Sequence, residues 1–253
     1  MTLIQKELTL SNKYKLTVIT GTELVELTPK NVAIVEAMLR NDSSTLKSFD
    51  KKAAPKGKYK GSTAYWMTQL KNALQDTSSI QDEIYKNIIT EAVAAVDREN
   101  STHLNADGIG REEITNRLYR IDKQLFMSYL KNPDKTKFEL ISIISDKTNP
   151  TGTNSKGKEY KGRTNISFAS KFCHYACYYL FEGEEEQDNY SIYDNILSKA
   201  IPLYVDHYGL KNCELNTYSK YRDTIDAIIK NSKTAISRNG FDHLLWYYFR
   251  GRL

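Results

Sequence analysis

The sequence has no apolar run approaching the roughly 18 to 20 residues that cross a bilayer, so no membrane-spanning helix is expected. Its opening, MTLIQKELTL, lacks the basic start and long apolar core of a secretory signal, and the expectation is a soluble protein retained in the cytoplasm. Cysteine is scarce. Cys173, Cys177 and Cys213 cannot all pair, and none forms the CxxC spacing of a zinc or redox site. A four-cysteine iron–sulfur cluster is excluded by count. Cys173, His174 and Cys177 offer ligand atoms on one helix, yet both thiols also suit plain core packing, since free cysteine behaves as a small buried hydrophobe. No metal and no cofactor is expected. Charge of one sign is also in short supply. The net charge of +5 implies no polyanionic partner by itself.

What is present is a chain of 253 residues, long enough for one large domain or two small ones. Its charges are clustered. Lys51, Lys52, Lys56, Lys58 and Lys60 lie close together, as do Lys156, Lys158, Lys161 and Arg163. The acids gather separately at Glu182, Glu184, Glu185, Glu186 and Asp188. Weak alternation over Leu3–Leu27, with turn signals at Ser11-Asn12-Lys13 and Thr20-Gly21-Thr22, predicts two or three short antiparallel strands. After Thr28-Pro29 the period becomes helical, with Thr28 as cap and Pro29 at the first helical position.

Apolar residues three or four apart predict helices over 63–75, 79–98, 110–131, 167–181, 194–207, 218–232 and 239–249. The apolar stretch FELISIIS at 138–145 fits a strand or a helix. The fold class is therefore mainly α (α+β), with a small N-terminal antiparallel sheet. No linker rich in proline or glycine divides the chain. The polar, basic stretch 146–165 is the best seam, giving a region 1–150 of strands and helices and a region 151–253, the two packed as one unit.

KGKYKGSTAYW at 56–66 and KGKEYKGRTNISF at 156–168 both run a basic, glycine-containing loop into an aromatic-bearing helix. Free N–H groups at a helix N-terminus suit phosphate, and solvated surface loops are the plain alternative. The second loop leads into SFASKFCHYACYYLF, where Phe168, Phe172, Tyr175 and Tyr179 share a face and Lys171 falls on its flank near His174. A lysine in the first turn there either snorkels or, if its amine sheds its proton, becomes a nucleophile. Asp194, in YSIYDNILSKAI, caps the next helix and is close enough along the chain to return to Lys171. Tyr65 and Trp66, or Trp246 with Tyr247 and Tyr248, are candidate stacking groups that also fit a core.

"ASK" opening an aromatic helix, followed by the extended "YSIYD" that starts the next, resembles the catalytic core of the 8-oxoguanine DNA glycosylase fold, in the helix-hairpin-helix superfamily. FDHLLWYYFRG at 241–251 is also similar to the terminal helix motif of stand-alone bacterial members. The likeness covers roughly residues 160–251. It implies that Lys171 matches the family's Schiff-base lysine and Asp194 its catalytic aspartate. It implies a DNA glycosylase, with AP-lyase activity as a further step, acting on a flipped base in duplex or single-stranded DNA. DNA would be held by Lys156, Lys158, Lys161, Arg163 and Asn165, with the loop at 56–60 in a lesser part. Kinship also places such proteins in bacterial antiviral defence operons. The alternative is therefore a non-catalytic nucleic-acid or nucleobase-binding accessory that partners other proteins of the operon. This chain departs from the pattern at the hairpin, where Asn165 and Ser167 stand in place of glycines. EGEEEQD should face away from any bound strand. The base itself cannot be carried over.

Overall fold

The computed structural model describes residues 8–11, 14–35, 62–76, 82–100, 102, 104, 109–146, 152–153, 159–160, 164–211 and 213–250. These are mainly helical. Leu8–Ser11 (β1) pairs antiparallel with Tyr14–Leu16 (β2), and an isolated bridge joins Val18 to Val25. Helix α1 follows, described over 29–35. Thr28 starts it as the sequence predicts, its hydroxyl accepting from the Asn31 N–H at 3.2 Å. Helices α2 (Thr63–Gln75), α3 (Asp82–Glu99), α4 (Ile109–Tyr119), α5 (Lys123–Lys131) and α6 (Glu139–Ser145) come next. A two-residue antiparallel ribbon, β3 (Gly152–Thr153) with β4 (Glu159–Tyr160), precedes α7 (Ile166–Leu180). A short 3-10 turn, Glu185–Asp188, leads to α8 (Asn195–His207), α9 (Tyr218–Ser232) and α10 (Arg238–Phe249).

Two expectations change in detail. The helix predicted over 110–131 is two helices, because Asp122 caps a new start, its carboxylate accepting from the Gln124 and Leu125 N–H groups at 2.9 and 3.2 Å. The ambiguous apolar stretch is helix α6, entered through Phe138 in the left-handed conformation at φ 47°.

The chain divides into two units, one built from Met1–Ala53 with Asp194–Leu253 and the other from Ala54–Tyr193. This grouping differs from the division at 150/151 expected from the sequence. Helix α7 stays with the helices before it because it packs against α2, α3, α5 and α6. That enclosure explains its composition. Phe168, Ala169, Phe172, Cys173, Ala176, Cys177 and Leu180 are all buried, so the apolar sector runs most of the way round, as in a central helix.

In the other unit, α8, α9 and α10 pack on one another. The Tyr204 hydroxyl donates to the Val25 carbonyl at 2.7 Å, and the Tyr248 hydroxyl to the Glu23 carbonyl at 2.8 Å. Buried Asn31 staples the intervening chain, donating to the carbonyls of Thr17 and Glu26 and accepting from the Thr17 N–H. Gly240 is required by contact rather than by φ. A Cβ there would lie 2.8 Å from Val32 Cγ1.

Candidate active site

Helix α7 begins at an asparagine. The Asn165 Oδ1 accepts from the Phe168 N–H at 3.4 Å, and the Asn165 N–H donates to the Ser145 carbonyl at 2.9 Å. That second bond joins the C-terminus of α6 to the N-terminus of α7. The α6 end is held from another side by Arg117, whose guanidinium donates to the carbonyls of Ile143 and Asp146. Asn165 is 7% exposed, and its Nδ2 has no hydrogen-bond partner among the described residues. Lys156, Lys158, Lys161 and Arg163 lie outside the described residues, as does the basic loop at 51–60.

Because α7 begins at Ile166, Lys171 stands in its second turn and not in the first. The field of a helix terminus fades within the first turn, so its influence on this amine is weaker than the sequence implied. Lys171 is half-buried. Its companions also differ from expectation. Tyr175 and Tyr179 do not belong to the buried face with Phe168 and Phe172. They are half-buried, and with Ser167, Lys171 and Tyr178 they form a partly accessible strip of α7. The Tyr175 hydroxyl donates to Asn100 Oδ1 at 3.0 Å, and the Tyr178 ring stacks on buried His174 with centroids 6.1 Å apart.

The chain returning from the C-terminus of α7 is held closely. Asn189 Nδ2 donates to the carbonyls of Leu130 and Lys131, both at 2.9 Å. The Tyr190 hydroxyl donates to the Tyr129 carbonyl at 2.7 Å. His174 Nδ1 donates to the Tyr190 carbonyl at 3.0 Å, since a carbonyl only accepts. Ser170 Oγ accepts from the Tyr193 N–H at 2.9 Å and lies 3.3 Å from the Tyr193 carbonyl. The segment 190–193 therefore runs along the 170/174 face of α7. It ends one residue before Asp194.

Asp194 is the N-cap of α8. Its Oδ1 accepts from the Ile196 and Leu197 N–H groups at 3.0 and 2.9 Å, and the residue is 7% exposed. The capping reading and the buried, rigid carboxylate are thus both present. Ser170 and His174 are the residues that sequence reasoning passed over as positioning groups. A small hydroxyl and an imidazole four apart among the apolar residues of this helix were the available signal. Buried Arg222, Asn239 and Asp242 of α9 and α10 were also not singled out.

The acidic run forms the 3-10 turn, where Glu184 and Glu185 are exposed and Glu186 pairs with Lys131 at 3.7 Å. The other loop-to-helix junction does not stand open to phosphate. Both carboxylate oxygens of Glu99 accept from the Thr63 N–H at 3.1 Å at the start of α2, and a second anion would meet that charge. Tyr65 packs edge-on against Trp66 at 5.0 Å, and Trp246 lies under the Arg250 guanidinium. Cys173 and Cys177 are buried, and burial, with Cys177 alongside, pushes the Cys173 thiol well up. No group of three His, Cys, Asp or Glu among the described residues has the geometry to hold a metal ion. No described helix is long and apolar enough to cross a membrane.

No family model, no curated protein and no solved structure matches the chain.

Proposed function

We propose that this protein is a DNA glycosylase of the helix-hairpin-helix type, with an AP-lyase step, serving in bacterial antiviral defence. Helices α6 and α7 are the counterparts of the paired helices. The Lys171 amine attacks C1′ of an extruded nucleotide while the C1′–N bond breaks, and the base leaves with the bonding pair and takes a proton from water. The new ammonium gives a proton to Asp194, which passes it to O4′ as the C1′–O4′ bond breaks, leaving a protonated imine at C1′. Removal of a C2′ proton then expels the 3′ phosphate. Asp194 steadies the positive charge that develops on the sugar and receives the proton. The amine must be neutral to begin, and partial burial beside Tyr175 and Tyr178 is its available source of desolvation. DNA contacts are assigned to Lys156, Lys158, Lys161, Arg163 and Asn165.

One observation supports this reading above the others. The backbone of Tyr193, the residue before Asp194, is hydrogen-bonded to Ser170, the residue before Lys171. The test is borohydride trapping on duplex and single-stranded DNA carrying abasic sites or modified bases. A covalent adduct should form with the protein and be lost in Lys171→Ala. An adduct that persists in Lys171→Ala would move the chemistry elsewhere. Release of no base from any substrate, together with tight binding to another protein, would leave only the accessory role.

A further inference from the structure

We infer that Arg117 is a positioning residue for nucleic-acid binding at the start of α7: its guanidinium sets the end of α6, and through that end the place of Asn165, without itself touching the ligand. The inference rests on the glycosylase reading for the ligand and on geometry for the junction. Every residue it uses lies in the unit Ala54–Tyr193. Helix α6 has seven residues, too few to be stable on its own bonds, and the last carbonyls of any helix need outside donors. Ser142 is served from within, by the Asp146 N–H at 3.0 Å. Beyond it, the Ile143 and Asp146 carbonyls accept from Arg117 Nη1, the first at 3.1 Å, and the Ser145 carbonyl accepts from the Asn165 N–H at 2.9 Å. A cation here also meets the negative end of the helix.

An arginine this close to a basic stretch would ordinarily be assigned to phosphate. Its donors are committed elsewhere. A guanidinium carries five N–H groups. Arg117 sends two from Nη1 to α6, and one each from Nε and Nη2 to Glu113 Oε1 at 3.0 and 2.7 Å, which leaves one. Glu113 also offsets its charge. The consequence falls on Asn165. Its N–H goes to Ser145, its Oδ1 accepts from the Phe168 N–H, and its carbonyl accepts from the Ala169 N–H at 3.1 Å. This one residue thus couples the end of α6 to the first turn of α7. The two helices also pack along each other, so the junction outlasts the loss of Arg117. What changes is how closely Asn165 is held.

The experiment uses the full-length protein and its Arg117→Ala, Arg117→Lys and Glu113→Gln variants. Amide hydrogen exchange, binding to an abasic duplex across a range of salt, and single-turnover borohydride trapping are the readouts. In Arg117→Ala, exchange at Asn165 should rise about tenfold while the α3 amides keep their rates. Affinity should fall about fivefold with the slope of log K against log salt unchanged, whereas a lost phosphate contact would reduce that slope by about 0.9. Trapping at saturating DNA should fall by less than about twofold, since Lys171 lies in the next turn of an enclosed helix. Arg117→Lys keeps the charge but loses the fork, and should reproduce the exchange and affinity changes. Glu113→Gln spares the α6 carbonyls and should leave Asn165 exchange as it was. Unchanged Asn165 exchange in Arg117→Ala overturns the inference, as does a reduced salt slope or an Arg117→Lys protein that behaves like the original. If the unaltered protein binds no nucleic acid, the glycosylase reading falls while the exchange comparison still decides whether Arg117 holds the junction.

Discussion

Asp194 meets two demands with one side chain. Its carboxylate takes two backbone N–H groups at the start of α8, and the proposed chemistry asks it to carry negative charge beside a reacting sugar. The demands separate by substitution. Asp194→Ala removes the cap and should cost about 1 kcal/mol, lowering Tm by about 2–4 °C. Asp194→Asn keeps an oxygen for the cap, so its thermal midpoint should stay close to the original while borohydride trapping falls at least tenfold. A trapping rate that follows stability through both variants would mean that Asp194 only caps. Lys171 shows the limit of reading at this scale. Its place on a helix edge followed from spacing alone, but its half-buried tyrosine neighbours did not. Whether Tyr175 faces core or solvent depends on which helices enclose α7, and those come from distant parts of the sequence.

Elements are joined by few, concentrated polar contacts. Asp97, near the end of α3, is the clearest case. Its carboxylate accepts from the Thr102 hydroxyl, the Leu104 N–H and the Arg111 guanidinium of α4. Burial alone would push this carboxyl up, but the Thr102, Leu104 and Arg111 contacts outweigh it and hold the group below its ordinary value. A folded-state value below the unfolded one means the carboxylate contributes stability above the usual range near about pH 3.9 and loses it as pH falls through the depressed value. The protein should therefore show a steep acid limb in its stability profile below about pH 4. In Asp97→Asn that limb should flatten, with lower stability at neutral pH, as measured by urea unfolding across pH.

Arg117 works by the same economy. Its pair with Glu113 is partly exposed and contributes only a few tenths of a kcal/mol, so its bonds to the carbonyls at the end of α6 carry most of its effect. Helix positions were legible because caps and apolar spacing are local. Thr28 marks the start of α1 by its own chemistry, as Thr217 does for α9 by accepting from the Lys220 N–H. The break at Asp122 was missed because the apolar period runs through it. The joints at Asp97, Arg117 and Ser170 were illegible, since each depends on partners that only the fold brings together.

At the scale of the molecule, the two units differ in how the chain builds them. All four helices that enclose α7 come from a single continuous stretch. The other unit takes its two parts from opposite ends of the sequence, tied by Tyr204 to Val25, Tyr248 to Glu23 and Gly240 against Val32. A fragment spanning residues 54–193 should accordingly be helical and melt cooperatively by circular dichroism. A fragment of residues 194–253 should be poorly helical alone and gain helix when residues 1–53 are added. A cooperative melt of 194–253 by itself would contradict this account. The sequence suggested a seam at the basic stretch near residue 150, where composition changes. Composition reports solvation, and the boundary follows packing instead.

The bond between Asn165 and Ser145 has one further consequence. It ties the end of α6 directly to the start of α7, so the register of the two helices is set by that contact. Lengthening a closed loop costs only about 0.6 kcal/mol for each doubling. Insertions in the sequence joining the two helices should accordingly be tolerated with both helices left in register.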